Sequence, residues 1–187
     1  MNHCPICRTP LNDILLLDQL PAHQCPNCAG IWLKANEYFS WLSTHQAIFN
    51  QLPDMQEQLP LPLPLTDSGR ALICPDCGTF LRRFQVWPNA TFHLDRCANC
   101  NGVWLDKNEW QTLKTVDLHT QINTIFTKMW QTKLRDEESR QRFEKMYQER
   151  FGTEDYEKIK IMREWLAEHP NRGSLTAYLT SQDPYKF

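Results

Sequence analysis

The chain has 187 residues, with 20 Lys and Arg against 22 Asp and Glu and a formal net charge of −2. That balance excludes the broad basic footprint behind sequence-independent phosphate binding. The longest purely aliphatic run, Ile14 to Leu17, is far too short to span a bilayer.

The first feature met along the chain is Cys4-Pro5-Ile6-Cys7, and the next cysteines are Cys25-Pro26-Asn27-Cys28. The same arrangement returns as Cys74-Pro75-Asp76-Cys77 with Cys97-Ala98-Asn99-Cys100, which accounts for all eight cysteines. Seventeen residues separate the pairs in the first copy and nineteen in the second, spacings that suit a four-thiolate zinc site. Each Cys-x-x-Cys closes a tight turn that aims two sulfurs at one point. Zinc imposes no d-electron geometry, so four thiolates at about 2.3 Å complete a tetrahedron and leave no open position. The expectation is two structural zinc ions, one held by Cys4, Cys7, Cys25 and Cys28, the other by Cys74, Cys77, Cys97 and Cys100. Four duplicated pairs in this register suit a metal better than disulfides or a redox motif at a helix start.

The copies agree beyond their cysteines. Thr9 and Leu11 match Thr79 and Leu81, and Gly30-Ile31-Trp32-Leu33 with Asn36-Glu37 matches Gly102-Val103-Trp104-Leu105 with Asn108-Glu109. Residues 11–24 are predicted to form a hairpin, turning at Asn12-Asp13 or at Asp18 to Pro21. Residues 79–96 form the second, turning at Trp87 to Ala90. A helix follows each. The first covers about 36–49, with Tyr38, Trp41, Leu42, His45 and Phe49 on one face, and Lys34 gives it a poorer start than the second. There Asp106-x-x-Glu109 reads as a capping box. Trp32 and Trp104 are expected to cover the cysteine turns as core, while His3, His23, His45 and His93 are unnecessary as ligands.

Residues 51–70 form a linker, in which Leu59 to Leu65 alternates Leu and Pro and is expected to run as a stiff polyproline II spacer or to lay its leucines on a surface. Val103 to Phe151 lacks Gly and Pro, which permits one very long helix or two abutting ones. Leu113, Ile122, Ile125, Phe126, Met129, Trp130 and Leu134 mark its first apolar stripe, and Phe143, Met146, Tyr147 and Phe151 mark a second. Gly152 ends it. A helix over about 154–168, capped by Thr153, would bury Ile159, Met162, Trp165 and Leu166, and a short one begins near Ser174.

Cys-Pro-x-Cys, a hairpin, then Cys-x-x-Cys followed by Gly, Ile/Val-Trp-Leu and Glu resembles the bacterial TFIIB-type zinc ribbon family over residues 2–43 and 72–113. The resemblance implies a small zinc-binding β-ribbon with a helix after it. Ala29 and Asn101 stand where the family pattern has the first of two glycines, and Lys34 where it has Asp. The fold expected is α+β: zinc ribbon 1 with its helix over 1–50, the linker over 51–70, zinc ribbon 2 with a helix start over 71–117, and a helical carboxy-terminal region over 118–187.

No phosphate loop, metalloprotease motif or nucleophile–base–acid set is legible. The expectation is therefore a non-enzymatic adaptor or assembly factor that works through protein–protein contacts. Trp130, Tyr147, Phe151, Trp165 and Tyr178 are candidates for an apolar contact surface. Thiols that must stay reduced, with no leader before Cys4, suit the cytoplasm. The alternative is a transcription-related or nucleic-acid-binding ribbon, for which Arg82, Arg83, Phe84, Trp87 and Phe92 on the second hairpin are the local evidence.

Overall fold

A computed structural model describes residues 2–44, 55, 64–65, 67–90 and 92–186. In the first copy, strands β1 (Asn12–Leu15) and β2 (Pro21–Gln24) form an antiparallel hairpin, and β3 (Ile31–Leu33) adds to β2. The chain reverses through a 3-10 turn at Leu17–Gln19, so Asp18 to Pro21 supplies the turn and Asn12-Asp13 lies in the strand. The second copy repeats the plan with β4 (Leu81–Gln85), β5 (His93–Cys97) and β6 (Val103–Leu105). Trp87 to Ala90 lies in its connection, as expected.

The two copies are not separate beads. Strands β3 and β6 pair antiparallel, making one six-stranded sheet in the order β1-β2-β3-β6-β5-β4. Its register sets Ile31 opposite Leu105, Trp32 opposite Trp104 and Leu33 opposite Val103. Because Trp32 and Trp104 are equivalent, the junction has a local two-fold axis. Side chains alternate across a strand. Ile31, Leu33, Val103 and Leu105 enter the helix-side core, while Trp32 and Trp104 enter a second core among the cysteines.

Helix α1 (Ala35–Thr44) follows β3 and buries Tyr38 and Trp41; His45 and Phe49 lie outside the described residues. Helix α2 (Glu109–Thr115) follows β6 and buries Trp110 and Leu113 at the equivalent places. It is α1 that begins sooner after its strand, contrary to the expected weakness at Lys34. The capping box is half formed. Glu109 Oε2 accepts the Asp106 amide at 2.7 Å, but the Asp106 carboxylate turns away to the Trp104 indole and the Ser68 amide, both at 2.8 Å.

Val103 to Phe151 forms neither one very long helix nor two abutting ones. A 3-10 turn at Leu118–Thr120, helix α3 (Ile122–Ile125) and helix α4 (Lys128–Phe151) follow α2. Asp117 takes φ +55°, a left-handed conformation that acidic and amide side chains tolerate, and this ends α2 without glycine. The break lets Leu118, Ile122, Ile125, Trp130 and Leu134 reach the core from short pieces, while Met129 points to solvent. Tyr38 ties the first copy to the segment that follows the second: its hydroxyl donates to the His119 carbonyl at 2.8 Å and accepts the Ile122 amide at 3.2 Å.

The linker's ends are held. Met55 is buried, the Pro64 carbonyl accepts Asn108 Nδ2 at 2.8 Å, and Leu65 packs against the core. The alternating Leu-Pro stretch from Leu59 to Leu63 lies outside the described residues.

The chain divides into two compact units, Met1–Glu138 and Ser139–Phe187. In the second, the carboxy-terminal half of α4 is followed at Gly152 (φ +81°) by α5 (Thr153–Glu168), then α6 (Arg172–Thr180). Thr153, expected as the cap, is the first residue of the helix, and Gly152 stands at the cap position. Ile159, Met162 and Trp165, expected in a core, are about half exposed. Glu138 accepts Gln85 Nε2 at 2.6 Å and the Asn89 amide at 3.0 Å within the first unit.

Candidate metal centres

Each Cys-x-x-Cys closes the same way four times. The amide after the second cysteine bonds back to the carbonyl of the first: Arg8 to Cys4, Ala29 to Cys25, Gly78 to Cys74 and Asn101 to Cys97, at 3.0–3.1 Å. Those four residues all have positive φ, from 58° to 72°. One residue later the chain closes a second bond, in which the first cysteine's amide donates to Thr9, Gly30, Thr79 or Gly102 at 2.8–2.9 Å. Ala29 and Asn101, where the family pattern prefers glycine, therefore sit in a conformation that glycine adopts without steric cost.

The turns bring the sulfurs together as quartets, Cys4, Cys7, Cys25 and Cys28 in one and Cys74, Cys77, Cys97 and Cys100 in the other, all within 4.8 Å of one another in each. Cys4 and Cys28 sulfurs are 3.6 Å apart, Cys74 and Cys100 3.5 Å, and Cys77 and Cys97 3.4 Å. Those separations are too long for a disulfide at about 2.05 Å. They approach the edge of about 3.8 Å that a tetrahedron of zinc–sulfur bonds near 2.3 Å requires. All eight cysteines are free. Both quartets fit a structural zinc ion.

Amide and hydroxyl groups surround selected sulfurs. The Ile6 and Cys7 amides point at Cys4 Sγ at 3.4 and 3.2 Å, and the Asn99 and Cys100 amides at Cys97 Sγ at 3.4 and 3.5 Å. The matched threonines each lie beside a sulfur, Thr9 beside Cys25 at 3.3 Å and Thr79 beside Cys77 at 3.4 Å. The Thr79 hydroxyl and amide bring Cys77 down to about 5. Burial works against Cys25, but the Thr9 hydroxyl and nearby amides outweigh it and bring the thiol down to about 6. Burial pushes Cys4 up to about 11 and raises Cys28 and Cys74 as well. A divalent cation is the natural counterweight to that mixed set, since zinc deprotonates the thiols that it binds.

The tryptophans cover these centres reciprocally. Trp32 and Trp104 are fully buried, and each lies over the glycine of the other copy. A Cβ on Gly30 would stand 2.2 Å from Trp104 Cζ2, and one on Gly102 2.3 Å from Trp32 Cζ2. Asp76 Oδ2 accepts the Trp32 indole N–H at 3.1 Å, and Asp106 Oδ1 accepts that of Trp104.

His23 and His93 serve carboxylates. His23 Nδ1 is 2.6 Å from Asp13, and His93 Nδ1 is 2.9 Å from Asp67. Behind the second hairpin lie three buried acids, Asp95, Asp106 and Glu109. Burial raises Asp95 to about 6 and raises Asp106; burial with the neighbouring Asp106 charge holds Glu109 well above the usual range. The first copy has His23, Lys34 and Glu37 at those places, with Lys34 Nζ 3.7 Å from Glu37. The differing charges mark these positions in an alignment of the two copies, although their burial is not legible there.

The basic and aromatic set on the second hairpin does not form a stacking platform. Trp87 and Phe92 are buried, and Phe84 meets Phe126 edge-on at 5.0 Å. Arg83 is paired with Asp67.

No curated protein and no solved structure matches the chain. Residues 3–44 and 73–116 each match the family model described as transcription factor zinc-finger, the TFIIB-type zinc ribbon, so the chain carries two tandem copies of that domain.

Proposed function

We propose that the eight cysteines ligate two structural zinc ions and that the protein is a non-enzymatic adaptor or assembly factor. In this reading ribbon 1 (1–50), the linker (51–70) and ribbon 2 (71–117) are the scaffold, and the helical region after residue 118 supplies contacts to other proteins in the cytoplasm. The observation that carries it is the closure of both quartets: no sulfur is left over for chemistry, and each site has its full complement of four donors. The exposed Trp165 and Tyr178 support the contact role, Tyr147 and Phe151 line a cleft between α4 and α5, and Trp130 belongs to the core.

Direct nucleic-acid binding is the weaker reading, because its best aromatics are packed inside and Arg83 already has a carboxylate partner. Cross-linking of the zinc-loaded chain in its native extract tests the adaptor role. A reproducible partner protein is expected. A chain that captures no protein, yet shifts RNA or DNA with a steep salt dependence, would replace it with the other reading.

A further inference from the structure

The unit Ser139–Phe187 is helical yet almost without a core of its own: among its described residues Tyr156 is the large apolar side chain that is buried. The carboxy-terminal half of α4 and α5 form a helical hairpin about Gly152. Lys160 Nζ reaches Glu144 Oε1 at 3.3 Å across it, and Tyr147 stacks with Phe151 at 5.6 Å and with Tyr156 at 6.5 Å. Between the helices is an open cleft of about 730 Å³, floored by Phe143, Tyr147, Phe151, Tyr156 and Ile159.

We propose that this cleft is a dimerisation surface, filled by the same helical hairpin of a second copy to make a four-helix bundle. The inference requires neither zinc nor the adaptor reading. Three observations select a second copy.

The area is right. Phe143 is 55 %, Tyr147 38 % and Phe151 42 % exposed. At roughly 200 Å² per ring these leave about 270 Å² of aromatic surface in water. Ile159, about half exposed in the same cleft, brings the apolar total to roughly 350 Å². A standard interface buries about 800 Å² per partner, a little over half of it apolar.

The charge is right as well. Residues 139–187 carry nine Lys and Arg against eight Asp and Glu, so two copies do not repel, and a strongly acidic or basic partner finds no complement. Arg140 and Lys160 both lie 3.3 Å from Glu144. Arg163 and Glu164, adjacent and opposite in sign, stand at the same cleft, where a two-fold axis can set each against the other's counterpart. Finally, so small a helical unit commonly needs a metal, disulfides or association to hold together, and all eight cysteines lie in the other unit.

The test is sedimentation of the zinc-loaded full chain at about 50 μM, above the micromolar Kd at the weak end for such an interface. A mass twice the 22.1 kDa of one chain is expected. Phe143→Glu with Ile159→Glu should give the single-chain mass with zinc content unchanged. The milder Phe143→Ala with Ile159→Ala should weaken association at least tenfold while keeping the helical circular dichroism. A parent chain that stays monomeric overturns the proposal. So does a dimer that survives both pairs of substitutions, because it must then use another surface.

Discussion

Gly30→Ala is the substitution that bears most directly on the fusion of the two ribbons. Its new methyl would stand 2.2 Å from Cζ2 and 2.9 Å from Cη2 of Trp104, a residue of the other copy. Carbon atoms rest at about 3.5–4.0 Å, so the ring has to move by more than an ångström. It cannot do so freely, being fully buried with its indole N–H bonded to Asp106 at 2.8 Å. Overpacking of this kind costs about 1–3 kcal/mol, and a strained or broken bond to a buried carboxylate adds about 1.5–3 kcal/mol. The expected loss is therefore about 3 kcal/mol or more, a large share of the 5–15 kcal/mol typical of a domain. Urea unfolding at fixed zinc activity, followed by tryptophan fluorescence, measures it.

The control is the same glycine change in a Trp104→Leu background. With the ring gone, Gly30→Ala should cost less than about 1 kcal/mol, giving a coupling near 2 kcal/mol between residues of different copies. Gly102→Ala should mirror this through Trp32, whose Cζ2 would lie 2.3 Å from the new Cβ. A Gly30→Ala chain within about 0.5 kcal/mol of the parent, or a full cost that persists without Trp104, would refute the reciprocal packing.

Three further outcomes follow. Ala29 has φ +58°, so Ala29→Gly should stabilise the chain by about 1 kcal/mol in the same unfolding assay, relieving the left-handed strain of an L-residue. Tyr38→Phe should cost about 1–3 kcal/mol by leaving the buried His119 carbonyl and Ile122 amide without their shared hydroxyl. Glu109 is raised well above its ordinary range chiefly by burial, so the folded chain keeps a proton that the unfolded chain releases. The stability this gives is full below the ordinary glutamate range and lost as pH rises through the raised folded value. Glu109→Gln keeps an acceptor for the Asp106 amide, so unfolding curves at fixed zinc activity should show it more stable than the parent at about pH 8, by a margin that shrinks as pH falls toward that range.

The local parts of this fold were legible because their causes are local. Cysteine spacing, turn residues and a two-residue strand alternation are enough to draw each ribbon and its following helix. What joins the ribbons was not legible. The repeat of Gly-x-Trp reads as two internal lids, and the crossing of Trp32 onto Gly102 and Trp104 onto Gly30 exists only once β3 and β6 pair. The absence of Gly and Pro from Val103 to Phe151 allowed one very long helix or two abutting ones, and neither formed because tertiary burial of Leu118 and Ile122 outweighs continuous helix propensity. In the last unit α5 formed where expected, but the burial expected of Ile159, Met162 and Trp165 did not follow, because periodicity names a face without naming what covers it. The Arg83 patch failed for a similar reason: its neutralising Asp67 arrives from the linker.

Native mass spectrometry of the full chain, with and without thiol alkylation under denaturing conditions, tests the central assignment most directly. Two zinc ions per 22.1 kDa chain, with all eight thiols alkylated once the metal is stripped, is the predicted result. A folded, metal-free chain whose cysteines resist alkylation as disulfides would contradict it.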